Sequence, residues 1–524
     1  MDGQQRLTTL SLLYAATYSW IHDYIETLND DQKDDYRDVK RRLTLRSANS
    51  MRVSPSHHGN NYEDYRAVMG ECGALEEVTR PAYAGNRKMY KAYNYFLGRL
   101  NARDENELAL FDLAKVFSLL EQINNAIVVK IEVATHADAY VLFESLNNRG
   151  VPLSSLDLIK NKLLSELEKA DVGTLDSNFE EWNSFLENLS DDYATQERFL
   201  RHFYNAFRHR KEIAVEGAAT ATKSKIILIY QTLIEKNPST IFQDMQKCSR
   251  LYSRLIEPEH EDNSSELSRS LFHIERIGGV PCYALLMFLL KKSVKKQDLV
   301  KIIDLLVCFF VRRSVTSYPP TSDLDRFFME LVGMSQPKIN VKNISAAIRS
   351  RSVAEDRFRE ALEGPMYENN SGATRFILCT LEESQQTAEN KTNLWQRGEK
   401  NRFVWTVEHV FPQGKKIPDP WVEMIADGDR KLANQHREDF VHNLGNLTIT
   451  GYNTRLSNMA FEKKRDRKNE KEKFIGYKNK LELNEELASK EAWTIEDIKE
   501  RTNSLVDQTI ELFDFDRVEK EGLL

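Results

Sequence analysis

The 524-residue chain has five cysteines, Cys72, Cys248, Cys282, Cys308 and Cys379, and no CxxC pair among them. Zinc-ribbon and disulfide-framework readings therefore fail, and small buried hydrophobes in a reducing compartment fit better. Long apolar runs are missing as well. The two most apolar stretches, residues 282–290 (CYALLMFLL) and 305–311 (LLVCFFV), fall well short of the ~18 residues a membrane span needs. The first residues carry no cationic-then-apolar leader pattern. The expectation is a cytoplasmic protein with no membrane partner. There is no basic excess either. The net charge is −7, so any nucleic-acid site has to be a local patch. No fixed-period repeat is visible.

What is present is an ordinary globular composition, 41% hydrophobic and 29% charged, in a chain too long for one core. Residues 7–25 and 86–122 have helical spacing, 125–133 (NAIVVKIEV) reads as a strand, and Ser154 is an N-cap for the helix that follows. From about 175 to 395 nearly everything reads as helix. Beyond 395 the character changes. A short strand ends in VEHVFPQ, a long polar loop follows, and then come the strand NLTIT and a basic helix, a compact ββα unit.

In that unit Glu408 and His409 stand side by side at a strand end, Asn446 at a strand start and Asn453 at a helix start. A hard cation needs oxygen ligands, which Glu408 and Asn453 supply. A neutral imidazole at His409 suits proton abstraction from water attacking a phosphodiester. Lys463, Lys464, Arg465, Arg467 and Lys468 suit a DNA backbone. At the other end, Asp2 could hold magnesium, Gly3 allows close backbone approach, Gln4 or Gln5 could orient water, and Arg6 offers a forked donor to phosphate. A second cluster adds Asn147, Arg149 and Gly150 on a turn, then Asp157 and Lys160. The same residues also suit a buried network in which Arg149 pairs with Asp157.

The ordered set EHVFPQ, LGNLTIT, YN, SN and FEKK resembles the HxxP subtype of the His-Me finger (HNH) nuclease unit. That resemblance implies His409 as general base, Asn446 as an orienting catalytic residue, and Glu408 with Asn453 on the metal side. Asn446, Asn453 and Asn458 all compete for the metal. DGQQRLTTL and FESLNNRGVPLSSLDLIKN resemble the N-terminal domain of the GmrSD family, a ParB/sulfiredoxin-like fold. The resemblance covers roughly 1–170 and 395–510.

The expected fold class is α+β, mainly helical. It comprises a DGQQR domain at 1–170 lacking its usual first strands, a helical connecting domain at 171–395, and a ββα-metal nuclease domain at 396–524. The resemblance implies a modification-dependent restriction endonuclease of phage defence, acting on modified double-stranded DNA with Mg2+ or Mn2+. It also implies a response to GTP or another nucleotide, in doubt if the first strands are missing. Nucleotide contacts fall to Asp2, Gly3, Gln4, Gln5, Arg6, Asn147 and Arg149, and DNA contacts to Asn458, Lys463, Lys464 and Arg465. Oligomeric state, a homo-oligomer included, stays open. The alternatives are a nucleotide- or DNA-sensing regulator with an inactive nuclease unit, and an RNA-cutting toxin-like nuclease.

Overall fold

The computed structural model describes residues 2–45, 50–55, 61–76, 78–81, 87–104, 107–127, 154–258, 265–336, 338–387, 389, 391–398 and 402–524, without the side chains of 2–5, 454 and 455. The chain divides into two compact units, 1–187 and 188–524. Residues on both sides of the expected boundary at 396 fall in the second of these units.

In the first unit, α1 (Asp2–His22) is followed by α2 (Asp30–Leu43). Asn29 opens α2 with a reciprocal capping box to Gln32. Strands β1 (Thr44–Leu45) and β2 (Ser50–Met51) form a minimal antiparallel pair. Helices α3 (Asn61–Glu71), α4 (Lys88–Leu100) and α5 (Leu113–Asn124) complete a helical core. In it Trp20, Tyr65, Tyr90 and Tyr93 are buried against α1 and its neighbours. Most of the strand expected at 125–133, and the loop with Asn147 and Arg149, lie outside the described residues. Helix α6 (Ser155–Lys169) begins at Ser154, whose hydroxyl accepts from the Asp157 amide as the spacing predicts, and packs on α7 (Leu175–Glu187).

The second unit opens with helices α8 (Tyr193–Phe207), α9 (Ile226–Lys236), α10 (Pro238–Ile256), α11 (Glu266–Arg276) and α12 (Tyr283–Lys291). At its centre lies α13 (Lys296–Thr316), almost wholly apolar from Leu305 to Val311 and buried there on every side. Such an all-round apolar helix must be covered on all faces. Helix α14 (Thr321–Met334) follows, and the cover includes α11, α15 (Val341–Arg351), α16 (Glu355–Glu363) and α17 (Met366–Gln385).

Strands β3 (Thr406–His409) and β4 (Leu447–Thr450) pair antiparallel, with Glu408 opposite Thr448 and His409 opposite Leu447. The intervening segment, read as a polar loop, instead holds α18 (Asp419–Ala426) and α19 (Arg430–Phe440). Trp421 anchors them in a core shared with Phe411, Phe461, Tyr477 and Trp493. After β4 come two short helices, α20 (Asn453–Leu456) and α21 (Phe461–Arg465), where one long basic helix was expected. The chain ends in α22 (Glu485–Ser489), α23 (Ile495–Leu512) and α24 (Phe515–Glu521). Helix α23 packs on the turn 444–446 and on α16 and α17, which joins the strand pair to the helical bundle. Among the described residues no helix is long and apolar enough to cross a membrane.

Candidate active site

Two glycines let backbones meet behind the strand pair. A Cβ at Gly445 would run into the Ile498 carbonyl oxygen, so the turn before β4 can lie directly on α23. There the Gly445 amide donates to Thr502 Oγ1 at 3.0 Å, and Arg501 donates to the carbonyls of Gly445, Leu447 and Leu483 at 2.6, 2.8 and 2.8 Å. Full burial pushes the Arg501 guanidinium down to about 10. At Gly476 a Cβ would meet the Lys464 carbonyl oxygen, so residues 475–477 can press on α21.

That pressure goes with a lysine turned inward. Lys464 Nζ donates to Glu408 Oε1 at 2.6 Å, to the His409 carbonyl at 2.8 Å and to the Val410 carbonyl at 3.1 Å. The two side chains are 1% and 4% exposed. Burial pushes the Glu408 carboxyl up and the Lys464 ammonium down, and each partner's charge opposes the other's shift. Two expectations are corrected here. Lys464 cannot reach a DNA backbone from this position. Glu408 is not an open metal ligand, because its carboxylate already holds a cation. The expected magnesium site therefore does not fit Glu408, and a divalent ion would have to take its ligands elsewhere. Among the described residues no group of three or more His, Cys, Asp and Glu is arranged to hold one.

His409 ends β3 with 6% of its surface exposed. Its Nε2 hydrogen-bonds His442 Nδ1 at 3.2 Å, and the Tyr367 ring meets its own edge-on with centroids 4.7 Å apart. Tyr367 also stacks on His442, and its amide donates to the His442 carbonyl at 3.2 Å. Burial, then His442, then Lys464 push the His409 imidazole down to about 3. The ring is thus neutral near pH 7. His442 is also shifted down, by burial against a partial lift from Glu368.

Tyr367 reaches this place because α17 is broken at Asn370 (φ −158°, ψ 88°). The Asn370 side chain caps the second segment through the Ala373 amide and ties to the Ser314 carbonyl, each at 3.0 Å. His442, Tyr367 and Glu368 were missed from sequence. His442 stands two residues before the LGN motif and carried a local signal, but Tyr367 and Glu368 lie forty residues and more upstream of His409 and carried none.

Asn446 is fully buried and committed to backbone. It accepts from the Phe411 amide at 2.7 Å and donates to the carbonyls of Phe411 and Val441 at 3.0 and 2.9 Å. It ties the chain leaving β3, just past His409, to the chain entering β4. Asn453 is half-buried, and its Nδ2 donates to the Val407 carbonyl at 2.7 Å, which orients the amide. Arg465 is also spoken for, with Asp466 at 2.7 Å and the Lys490 carbonyl at 2.7 Å, so its expected DNA contact is corrected too. Asn458 and Lys463 are exposed, as DNA contacts require.

In the first unit, the backbone of Asp2, Gly3, Gln4, Gln5 and Arg6 forms the first turn of α1, and Arg6 is exposed. Asn147 and Arg149 lie outside the described residues, so their meeting with the DGQQR turn stays an expectation.

No curated protein matches the chain. Residues 1–164 match the family described as GmrSD restriction endonuclease, N-terminal domain. Residues 353–508 match GmrSD restriction endonucleases, C-terminal domain, a stretch that takes in Tyr367, His409, His442, Asn446 and Lys464. With its two ends matched in that order, the chain belongs to the GmrSD restriction endonuclease family.

Proposed function

We propose that this chain is a DNA endonuclease of the modification-dependent type in which His409 is the general base. The observation that carries the reading is a buried imidazole at the end of β3, hydrogen-bonded to His442, within the part of the chain matched to the family's C-terminal domain. In the proposed step the hydrogen bond between His442 and His409 Nε2 opens, water attacks phosphorus, and the freed Nε2 takes the water's proton. The P–O3′ bond breaks, and the departing oxygen takes a proton from solvent. A phosphodiester alongside the ring brings negative charge, which raises the imidazole's proton affinity when the base is needed. Lys463 and Asn458 are the surface contacts proposed for the DNA strand. Asp2 to Arg6, with Asn147 and Arg149, remain the proposed nucleotide contacts, and a response to GTP or another nucleotide is part of the proposal.

The test is plasmid cleavage by wild type and His409→Ala, on modified and unmodified DNA, with Mg2+ or Mn2+ and with or without nucleotide. The expected result is cleavage by wild type alone, with DNA binding kept in the variant. Cleavage by His409→Ala at the wild-type rate would remove the base assignment. One observation favours a second reading. Tyr367 and His442 cover a ring that is 6% exposed, so this conformation is a closed one. Wild type that binds DNA and never cuts it under any of these conditions would make the chain a sensor with a silent nuclease unit. An RNA substrate in parallel separates the RNA-cutting alternative.

A further inference from the structure

We propose that a ladder of alternating arginines and rings in the second unit is a binding site for the phosphate of a nucleotide, in a strand or free. Arg276, Trp395, Arg375, Phe403 and Arg397 touch in that order. The guanidiniums of Arg276 and Arg375 lie 4.3 and 4.4 Å from the Trp395 ring, and those of Arg375 and Arg397 lie 3.7 and 4.3 Å from the Phe403 ring. All five residues line one cavity of about 660 Å³, a size typical of small-molecule sites. Three elements bring them together. Arg276 ends α11, Arg375 sits on α17, and Arg397 pairs with Phe403 across a hairpin.

Three carboxylates, Glu383, Glu257 and Glu275, accompany the three arginines. Arg276 has a carboxylate within 4.0 Å, Glu383, which also accepts from Trp395 Nε1 at 2.7 Å and lies 3.6 Å from His273 Nε2. Arg375 is held by neutral carbonyls, Leu394 at 2.7 Å and Trp405 at 3.2 Å. Its positive neighbour Arg397 works against its charge, and Arg375 in turn works against that of Arg276. The acids on the wall are Glu257 and Glu275. Stacking on rings stabilises each cation by ~0.5–2 kcal/mol and holds the guanidiniums side by side along the cavity. The oxygens of a phosphate suit guanidinium edges in pairs, and rings beside them suit a base. The site is also wired to the strand that bears His409, since the Trp405 carbonyl held by Arg375 belongs to the residue just before β3.

The experiment follows Trp395 fluorescence in the full chain, isolated by difference against Trp395→Phe, during titration with pyrophosphate, GTP, ATP and a short single-stranded oligonucleotide. A saturable change is expected with at least one probe, about tenfold or more weaker in Arg276→Gln and Arg397→Gln. It should be unchanged in His409→Ala, so the inference stands or falls apart from the base assignment. Saturation by pyrophosphate or GTP identifies free nucleotide as the source, and saturation by the oligonucleotide alone identifies a strand. If Arg276→Gln loses its helical circular dichroism, Arg397→Gln, exposed on its hairpin, decides the matter. No saturable change with any probe, or wild-type affinity in a folded arginine variant, overturns the proposal.

Discussion

Lys464 Nζ lies 2.6 Å from Glu408 Oε1, and the pair is sealed inside the unit that carries His409. The ammonium also holds the carbonyls of His409 and Val410, so this ion pair sets where β3 ends and which way the imidazole leaves the strand. Removing one partner strands a buried charge. Glu408→Gln is expected to cost about 3–5 kcal/mol. Glu408→Gln combined with Lys464→Met should cost clearly less than the two single changes summed. Urea denaturation measures all three, and a Glu408→Gln variant as stable as wild type would mean the pair does not form.

Adjacent lysines are expected to behave as opposites. Lys463 is exposed, so Lys463→Ala should weaken DNA binding and flatten the dependence of log K on log salt by about 0.9. Lys464→Met, if folded, should leave that slope alone. Equal slopes for both variants would contradict the placement of the two side chains.

His442 lowers the proton affinity of His409. With His442→Ala that influence is gone and some burial is relieved, so both causes act upward. The imidazole then takes up its proton at higher pH than in wild type. The acid limb of kcat/KM, where the neutral base is lost, should move to higher pH, with activity kept on the alkaline side. An acid limb that stays in place would show that His442 does not act through His409.

Asn446 uses its amide as both donor and acceptor. Asn446→Asp keeps the shape but loses the two donors and sets a carboxylate against two carbonyl oxygens. A loss of roughly 3 kcal/mol or more is expected. Asn453→Asp, at a half-buried position, should lose less. The melting temperatures of both variants check the order, and the reverse order would mean that Asn446 does not hold the two chain segments together.

Several features were legible because their causes are local. Helical spacing gave α1, α4 and α5 to within a few residues, and Ser154 with Asp157 marked the start of α6. The strand pair and His409 at its edge followed from a short ordered motif. The helices α18 and α19 were not recognised, because their polar faces dominate the sequence and Trp421 shows its purpose only once Phe461 and Trp493 surround it.

The site divides in the same way. By itself the sequence determined the residue types that pairing and capping demand, the helical middle and the family to which the chain belongs. Which of those residues meet substrate was decided by the tertiary structure. Lys463 and Lys464 have the same chemistry one residue apart. The phase of a five-residue helix, and a glycine at 476 that lets another backbone approach, send one to water and the other to Glu408. Tyr367 is brought over His409, and Arg276 toward Arg375, by packing around α13 across long stretches of chain. Side-chain burial and long-range contact depend on every covering element at once, so no local window of sequence contains them.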